Sequence, residues 1–423
     1  MLIRLCLVCL SFIIVLQKTS VIAETPATKT PSFSVSDWPW WRGPTGDGHA
    51  VGQQTPPLNW TSNENLLWKQ PIPGRGHAAP TVVGDAIYLP TADRERDVQT
   101  VICLDRASGK PSWETTVHRG GLMKKNEKAS QASSTIACDG ERLFVNFLNN
   151  GAVFTSAISL DGEVLWQRKI SDYVLHQGYG SSPTIYKHLV IVAADNKGGG
   201  AIVALDRRSG EEVWRQARPK KPNYSSPVVL NVSGREQLIM IGCDLVSGFD
   251  PLTGEKLWEF PGATTECVIT TVTDGDLIYT SGGYPRNHLA AVRGDGSGEV
   301  VWETGDRIYV PSLLIQDDYL YAVFDAGVAA CWRADTGEQQ WKARLGGNYT
   351  ASPVLVGDRI YATSEDGETI IFSATPERFE KLAENKLADD AFATPVIVAD
   401  RIYARMGVRE GDQRQEYLFC IGE

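Results

Sequence analysis

Asp206-Arg-Arg-Ser-Gly210-Glu-Glu-Val-Trp214 recurs along this chain, and its recurrence dictates the architecture. Two copies are nearly complete: Asp105-Arg-Ala-Ser-Gly109-Lys-Pro-Ser-Trp113 and Asp250-Pro-Leu-Thr-Gly254-Glu-Lys-Leu-Trp258. Three are degraded: Asp161-Gly-Glu-Val-Leu-Trp166, Gly296-Ser-Gly298-Glu-Val-Val-Trp302 and Asp335-Thr-Gly337-Glu-Gln-Gln-Trp341. The Asp accepts backbone hydrogen bonds at a tight turn, and the Gly supplies a positive φ before the chain returns. Apolar alternation on either side, as in Ala201-Ile-Val-Ala-Leu205, makes each phrase the hairpin between two strands. The tryptophans step by roughly 40 to 50 residues, the length of one four-stranded propeller blade. A twisted sheet buries so large a flat side chain only against its neighbour, so the Trp residues are expected to dock blade on blade.

A second phrase opens each unit: Ala78-Ala-Pro80, Ser181-Ser-Pro183, Ser225-Ser-Pro227, Ala351-Ser-Pro353 and Ala393-Thr-Pro395. An apolar strand, a turn and an Ile-Tyr or Leu-Tyr pair follow, as in Gly357-Asp-Arg-Ile-Tyr361. Pro at the start of an inner strand costs no ladder bond. Helical periodicity is nearly absent; only Pro376 to Leu387 reads as a short helix, standing where one unit lacks its turn and Trp. Openings near Ala78, Ser133, Ser182, Ser226, Val268, Ser312, Ser352 and Thr394 count eight units. The last has no Trp after it, whereas Asn65-Leu-Leu-Trp68-Lys-Gln carries a Trp with no opening before it. The expected fold is therefore all-β: an eight-bladed β-propeller of four-stranded antiparallel blades, closed by the 65–72 strand pairing with the C-terminal strands.

Arg4, the apolar run Leu5 to Leu16, and Val21-Ile22-Ala23 read as a secretory leader over residues 1–23. Residues 24–64 form an N-terminal arm and 65–423 the propeller. No later stretch approaches 18 uninterrupted apolar residues, so an exported chain, periplasmic or secreted, without a membrane-spanning helix is expected. The net charge of -10 disfavours a nucleic-acid partner. Beyond the leader, Cys103, Cys138, Cys243, Cys267, Cys331 and Cys420 have no C-x-x-C spacing, which removes zinc-ribbon and thioredoxin-type chemistry. They read as small buried hydrophobes, or as a disulfide between neighbouring strands, with Cys243 and Cys267 the best-placed pair. The His residues show no H-E-x-x-H spacing, and Gly198-Gly-Gly200 has no Lys-Ser/Thr behind it to cradle phosphate.

Shortly before the opening phrases stand His77, Tyr179, Tyr224, Tyr309, Tyr349 and Phe392, with Gln131 and Glu266 in the weaker units. These residues ring one mouth of the central channel, either as a binding site or to seat the inner strands. Two further segments break the pattern. The basic stretch from His118 to Lys128 is a solvated loop or a partner contact. The arm motif Trp38-Pro-Trp-Trp41-Arg-Gly-Pro44 is expected to pack across a face of the ring.

The Asp-x-x-Thr/Ser-Gly-x-x-x-Trp phrase resembles the repeat of quinoprotein-type propellers, the PQQ-like fold, over residues 65–423. The arm motif is similar to that of exported single-propeller proteins of planctomycete type. Two functional branches share the fold: quinoprotein alcohol dehydrogenases, and BamB-like outer-membrane assembly scaffolds that bind partners and catalyse nothing. The dehydrogenase branch implies a vicinal Cys-Cys disulfide, calcium ligands and long roofing insertions. This chain has no adjacent Cys pair after the leader, and most units fit in roughly 40 to 50 residues. The expectation is a non-enzymatic scaffold with a protein partner of the cell envelope and no cofactor. A PQQ- and calcium-dependent oxidoreductase is the rival.

Overall fold

A computed structural model of the protein describes residues 29–124 and 126–423. The expected leader lies outside the described residues. Eight antiparallel sheets follow one another along the chain, with no helix among the described residues. Seven are contiguous four-stranded blades, at 81–119, 137–172, 184–217, 228–261, 272–304, 314–344 and 354–386. The eighth takes its inner three strands from 390–421 and its outermost from Leu66–Ile72, which pairs antiparallel with Gln413–Ile421, Trp68 opposite Cys420. The ring closes as its repeat implied.

The turn glycines have a second cause beyond φ. Gly210 sits at φ +70°, and a Cβ on it would lie 2.6 Å from the indole of Trp166 in the preceding blade. The same approach recurs between Gly109 and Trp68, Gly254 and Trp214, and Gly337 and Trp302. Each indole lies flat on the next blade's turn, and several also donate Nε1–H to it, as Trp113 does to the Leu160 carbonyl at 2.9 Å and Trp302 to Ala334 at 2.7 Å. Trp258 differs, donating to Gln237 of its own blade at 2.7 Å. The Ile-Tyr phrase supplies the neighbouring ring: Tyr88 lies 6.0 Å from Trp113 and Tyr279 6.1 Å from Trp302. Replacing Gly210 with Ala should therefore cost about 1–3 kcal/mol, from left-handed strain and displacement of the Trp166 ring. A chemical-unfolding midpoint equal to wild type would contradict that docking.

The opening phrase also gains a cause. Its hydroxyls tie the inner strands to one another around the axis. The N–H of Ala79 donates to Thr135 Oγ1, that of Thr135 to Ser182 Oγ, and that of Ser182 to Ser226 Oγ, at 3.1, 3.0 and 2.9 Å. The series continues from Thr270 to Ser312, Ser352 and Thr394 at 3.0, 3.0 and 2.9 Å. Burying these N–H groups without acceptors would be costly, so the Ser/Thr preference is enforced.

Two sequence expectations are corrected. The segment read as a helix contains the outer strand Lys381–Lys386 of blade 7, paired with Glu368–Ser373, because the exposed ladder of its neighbour outweighs local helical preference. Ala383 stands where other blades carry Trp, and the arm's Trp60 is buried in the same apolar cluster. All six cysteines of the described chain are free and buried, Cys243 and Cys267 included, so the disulfide alternative is not formed. Burial pushes the Cys103 and Cys267 thiols up to about 11, which suits inert core residues.

His118, in the outer strand of blade 1, packs against Phe147 and Phe154 at 6.0 and 5.2 Å. Burial depresses its pKa to about 4. The unfolded chain takes up this proton near pH 6.5 and the folded chain only near 4, so acidification through that window favours unfolding. Wild type should lose stability relative to His118→Gln between pH 6.5 and about 4, with a constant difference above that window. Unfolding midpoints of the two proteins across this range measure it; a flat difference would refute a neutral, partly buried imidazole.

Candidate functional site

The arm packs against several blades of the ring. Trp38 bridges to Val82 of blade 1, and His49–Ala50 adds a parallel strand to the inner strand of blade 7. Between them Arg42 is buried, its guanidinium donating to the carbonyls of Leu313 at 2.6 Å and Pro353 at 3.1 Å. Burial lowers its pKa to about 10, with Asp47 opposing. It holds blades 6 and 7 to the arm through neutral acceptors. Beside it Trp41 donates its indole N–H to Thr270 Oγ1 at 2.7 Å. The indole borders a cavity of about 470 Å³ on one side and a smaller one of about 230 Å³ on the other. The arm thus packs on the ring as its apolar motif implied, and its Trp41 is the floor of a cup.

The larger cavity opens at the mouth where the inner strands begin. His77, Tyr179, Tyr224, Tyr309, Tyr349 and Phe392 all border it, so the structure brings these sequence-predicted residues together. They divide into two groups. Tyr179 and Tyr349 are largely buried between blades; the Tyr179 hydroxyl donates to the Ala193 carbonyl at 2.9 Å, and Tyr349 packs in the cluster around Trp341. These two seat the strands. Tyr224, Tyr309, His77 and Phe392 are only partly covered and present their rings to the cup, with His77 stacked on Phe392 at 4.6 Å. Glu266 stands behind the wall, 3% exposed, accepting from the Tyr309 hydroxyl at 3.0 Å and meeting the His176 ring at 3.1 Å. Burial, then the Glu266 carboxylate, push the Tyr309 and Tyr224 phenols well above their usual range, so both stay protonated donors. Gln131 lies outside the wall and holds the Met123 carbonyl of the basic loop.

Sequence reasoning missed the charged rim. Asp325 accepts the N–H groups of Tyr309 and Val310 at 2.7 and 3.2 Å, and burial raises its pKa despite those bonds. Arg307 lies over the Tyr309 ring at 5.3 Å. The basic loop bends over the mouth: Asn126 bonds Gln177, and Lys128 pairs with Glu365 of blade 7 at 3.1 Å. A Phe-Asp-Ala-Gly turn in one unit and Ser-Glu-Asp-Gly in the next were the available signal, since both carry an acid just before the third strand.

Fold and site together define a class, the closed eight-bladed propeller of PQQ-like repeats, here with a cavity lined by residues that open its inner strands. The family model described as outer membrane protein assembly factor BamB matches residues 50–172, 97–343 and 244–378, and the chain belongs to that family. The outer membrane protein assembly factor BamB of Bordetella pertussis is 23% identical over 322 residues, 71% of this chain and 73% of that protein. The 1-butanol dehydrogenase (quinone) of Thauera butanivorans is 25% identical over 229 residues, 47% of this chain and 35% of that protein. Among solved structures, BamB from Moraxella catarrhalis superposes with a TM-score of 0.56 at 16% identity, covering 84% of this chain and 96% of that one. A europium-containing methanol dehydrogenase gives 0.66 at 11% identity, covering 92% and 98%. At such identities these structural likenesses show the fold alone.

Proposed function

We propose that the protein is an exported, non-enzymatic scaffold whose open cup anchors a protein partner of the cell envelope, as the names of its BamB relatives suggest for outer-membrane assembly. The observation that carries this reading is the shape of the cup. Trp41 of the chain's own arm borders it, held by Thr270, and its wall offers rings and phenol hydroxyls. Such a recess suits a protruding side chain with backbone around it.

A quinone–calcium pair fits these residues poorly. Calcium asks for six to eight oxygens brought together, and among the described residues no three His, Cys, Asp or Glu side chains converge.

Two experiments on the purified full chain test the reading. PQQ with calcium should neither bind saturably nor support dye reduction with alcohols; turnover would transfer the protein to the oxidoreductase branch. Affinity capture from envelope extracts should recover one defined partner, and the double variant Tyr224→Ala, Tyr309→Ala should weaken its retention at least tenfold, as hot-spot rings do. Undiminished capture by that variant would discard the cup as the contact.

A further inference from the structure

The charges around Tyr309 specify what the cup takes, an inference that rests on the reading above. Tyr309 stands between two carboxylates, its hydroxyl on Glu266 and its backbone N–H on Asp325. A phenol donating to a carboxylate has an electron-rich ring, the face a cation prefers. The chain's own cations already collect at these features: the Arg307 guanidinium over the Tyr309 ring, and the Lys128 ammonium on Glu365 at the rim. Both side chains are solvent-exposed, so both can be displaced or joined by another. Deeper in, Glu266 meets the His176 ring, in surroundings where Coulomb interactions are weakly screened.

A neutral aromatic side chain would match the rings but gain nothing from the carboxylates. An anionic one would meet Asp325 and Glu365 in the cup wall, with Glu266 behind it. We infer that the cup binds a lysine or arginine side chain on an extended segment of the partner, its charged end beside Tyr309 and its methylenes along Tyr224 and Trp41. Long cationic side chains bury their stems on apolar walls in this way.

The full chain labelled with 5-fluorotryptophan provides the test, with the Trp41 fluorine resonance assigned through Trp41→Phe. Four blocked peptides serve as probes: Ac-Gly-Arg-Gly-NH2 and its Lys, Phe and Glu counterparts. The Arg and Lys peptides should move the Trp41 resonance saturably. Glu266→Gln, which keeps the Tyr309 hydrogen bond, should weaken them about tenfold, and raising NaCl from about 50 to about 500 mM should weaken them further. Glu365→Gln at the rim provides a second variant should the first lower the melting temperature. Phe or Glu peptides binding as tightly as Arg, or no movement with any of the four, would overturn the inference. A captured partner held equally by wild type, Glu266→Gln and Glu365→Gln would overturn it while leaving the scaffold reading intact; failure to capture any partner would count against that reading instead.

Discussion

Glu416→Ala should destabilise the protein by about 3–5 kcal/mol, the largest single-residue effect expected here. Glu416 and Arg405 face each other across adjacent strands of blade 8, at 2% and 1% exposure. The carboxylate also accepts from Arg414 at 3.1 Å and from the backbone N–H of Gly76 at 3.0 Å, while Arg405 donates to the Pro90 carbonyl of blade 1 at 2.7 Å. Removing the acid strands a buried guanidinium at the seam between the last blade and the first. Most of the loss comes from that orphaned charge, so Arg405→Met combined with Glu416→Leu should recover a good part of it. Denaturant titrations of both singles and the double form the cycle. A double variant as unstable as the sum of the singles would mean that the pair is not coupled.

Trp68→Ala is expected to cost about 3 kcal/mol and to act at one place, the joint between chain ends. Its indole covers the turn at Gly109 and lies 6.1 Å from Tyr403, so it joins blade 8 to blade 1. Trp214→Ala removes a comparable ring from the seam between blades 3 and 4, where no chain end is involved. Both variants should melt earlier, but only Trp68→Ala should speed amide exchange in the strands at 66–72 and 413–421. Equal exchange in the two variants would show that closure does not depend on this indole.

The ring was legible because its cause is local. A turn of Asp, Ser or Thr, and Gly followed by Trp has one stable use, and six copies at a blade's spacing leave little else to build. The unpaired Trp68 likewise pointed to the strand exchange between the ends. What the pattern hid was non-local. The 376–387 segment has helical composition, and only the edge of the Glu368–Ser373 strand makes it extended. The Ser and Thr of the opening phrase announced a strand start, yet their acceptor role depends on an N–H one blade away. The aromatic residues of the mouth were found as a set, but Tyr179 and Tyr224 were indistinguishable until the fold sent one between blades and the other to the cup. Trp41 became a floor through a docking of the arm that no spacing encodes.

The pairing of Leu66–Ile72 with a strand so distant in sequence also bears on biosynthesis. Leu66–Ile72 is made early, but its ladder partner Gln413–Ile421 is the last of the described strands to be made. The four-stranded ladders of the first seven blades can form in order as the polypeptide grows, each from a contiguous stretch. The early segment has no ladder partner until Gln413–Ile421 is made, and through that interval it presents unpaired amides and the greasy Leu66, Leu67 and Trp68. Nascent molecules crowded together could lend one another that strand, so dimers and longer chains of exchanged molecules are the characteristic error of this topology.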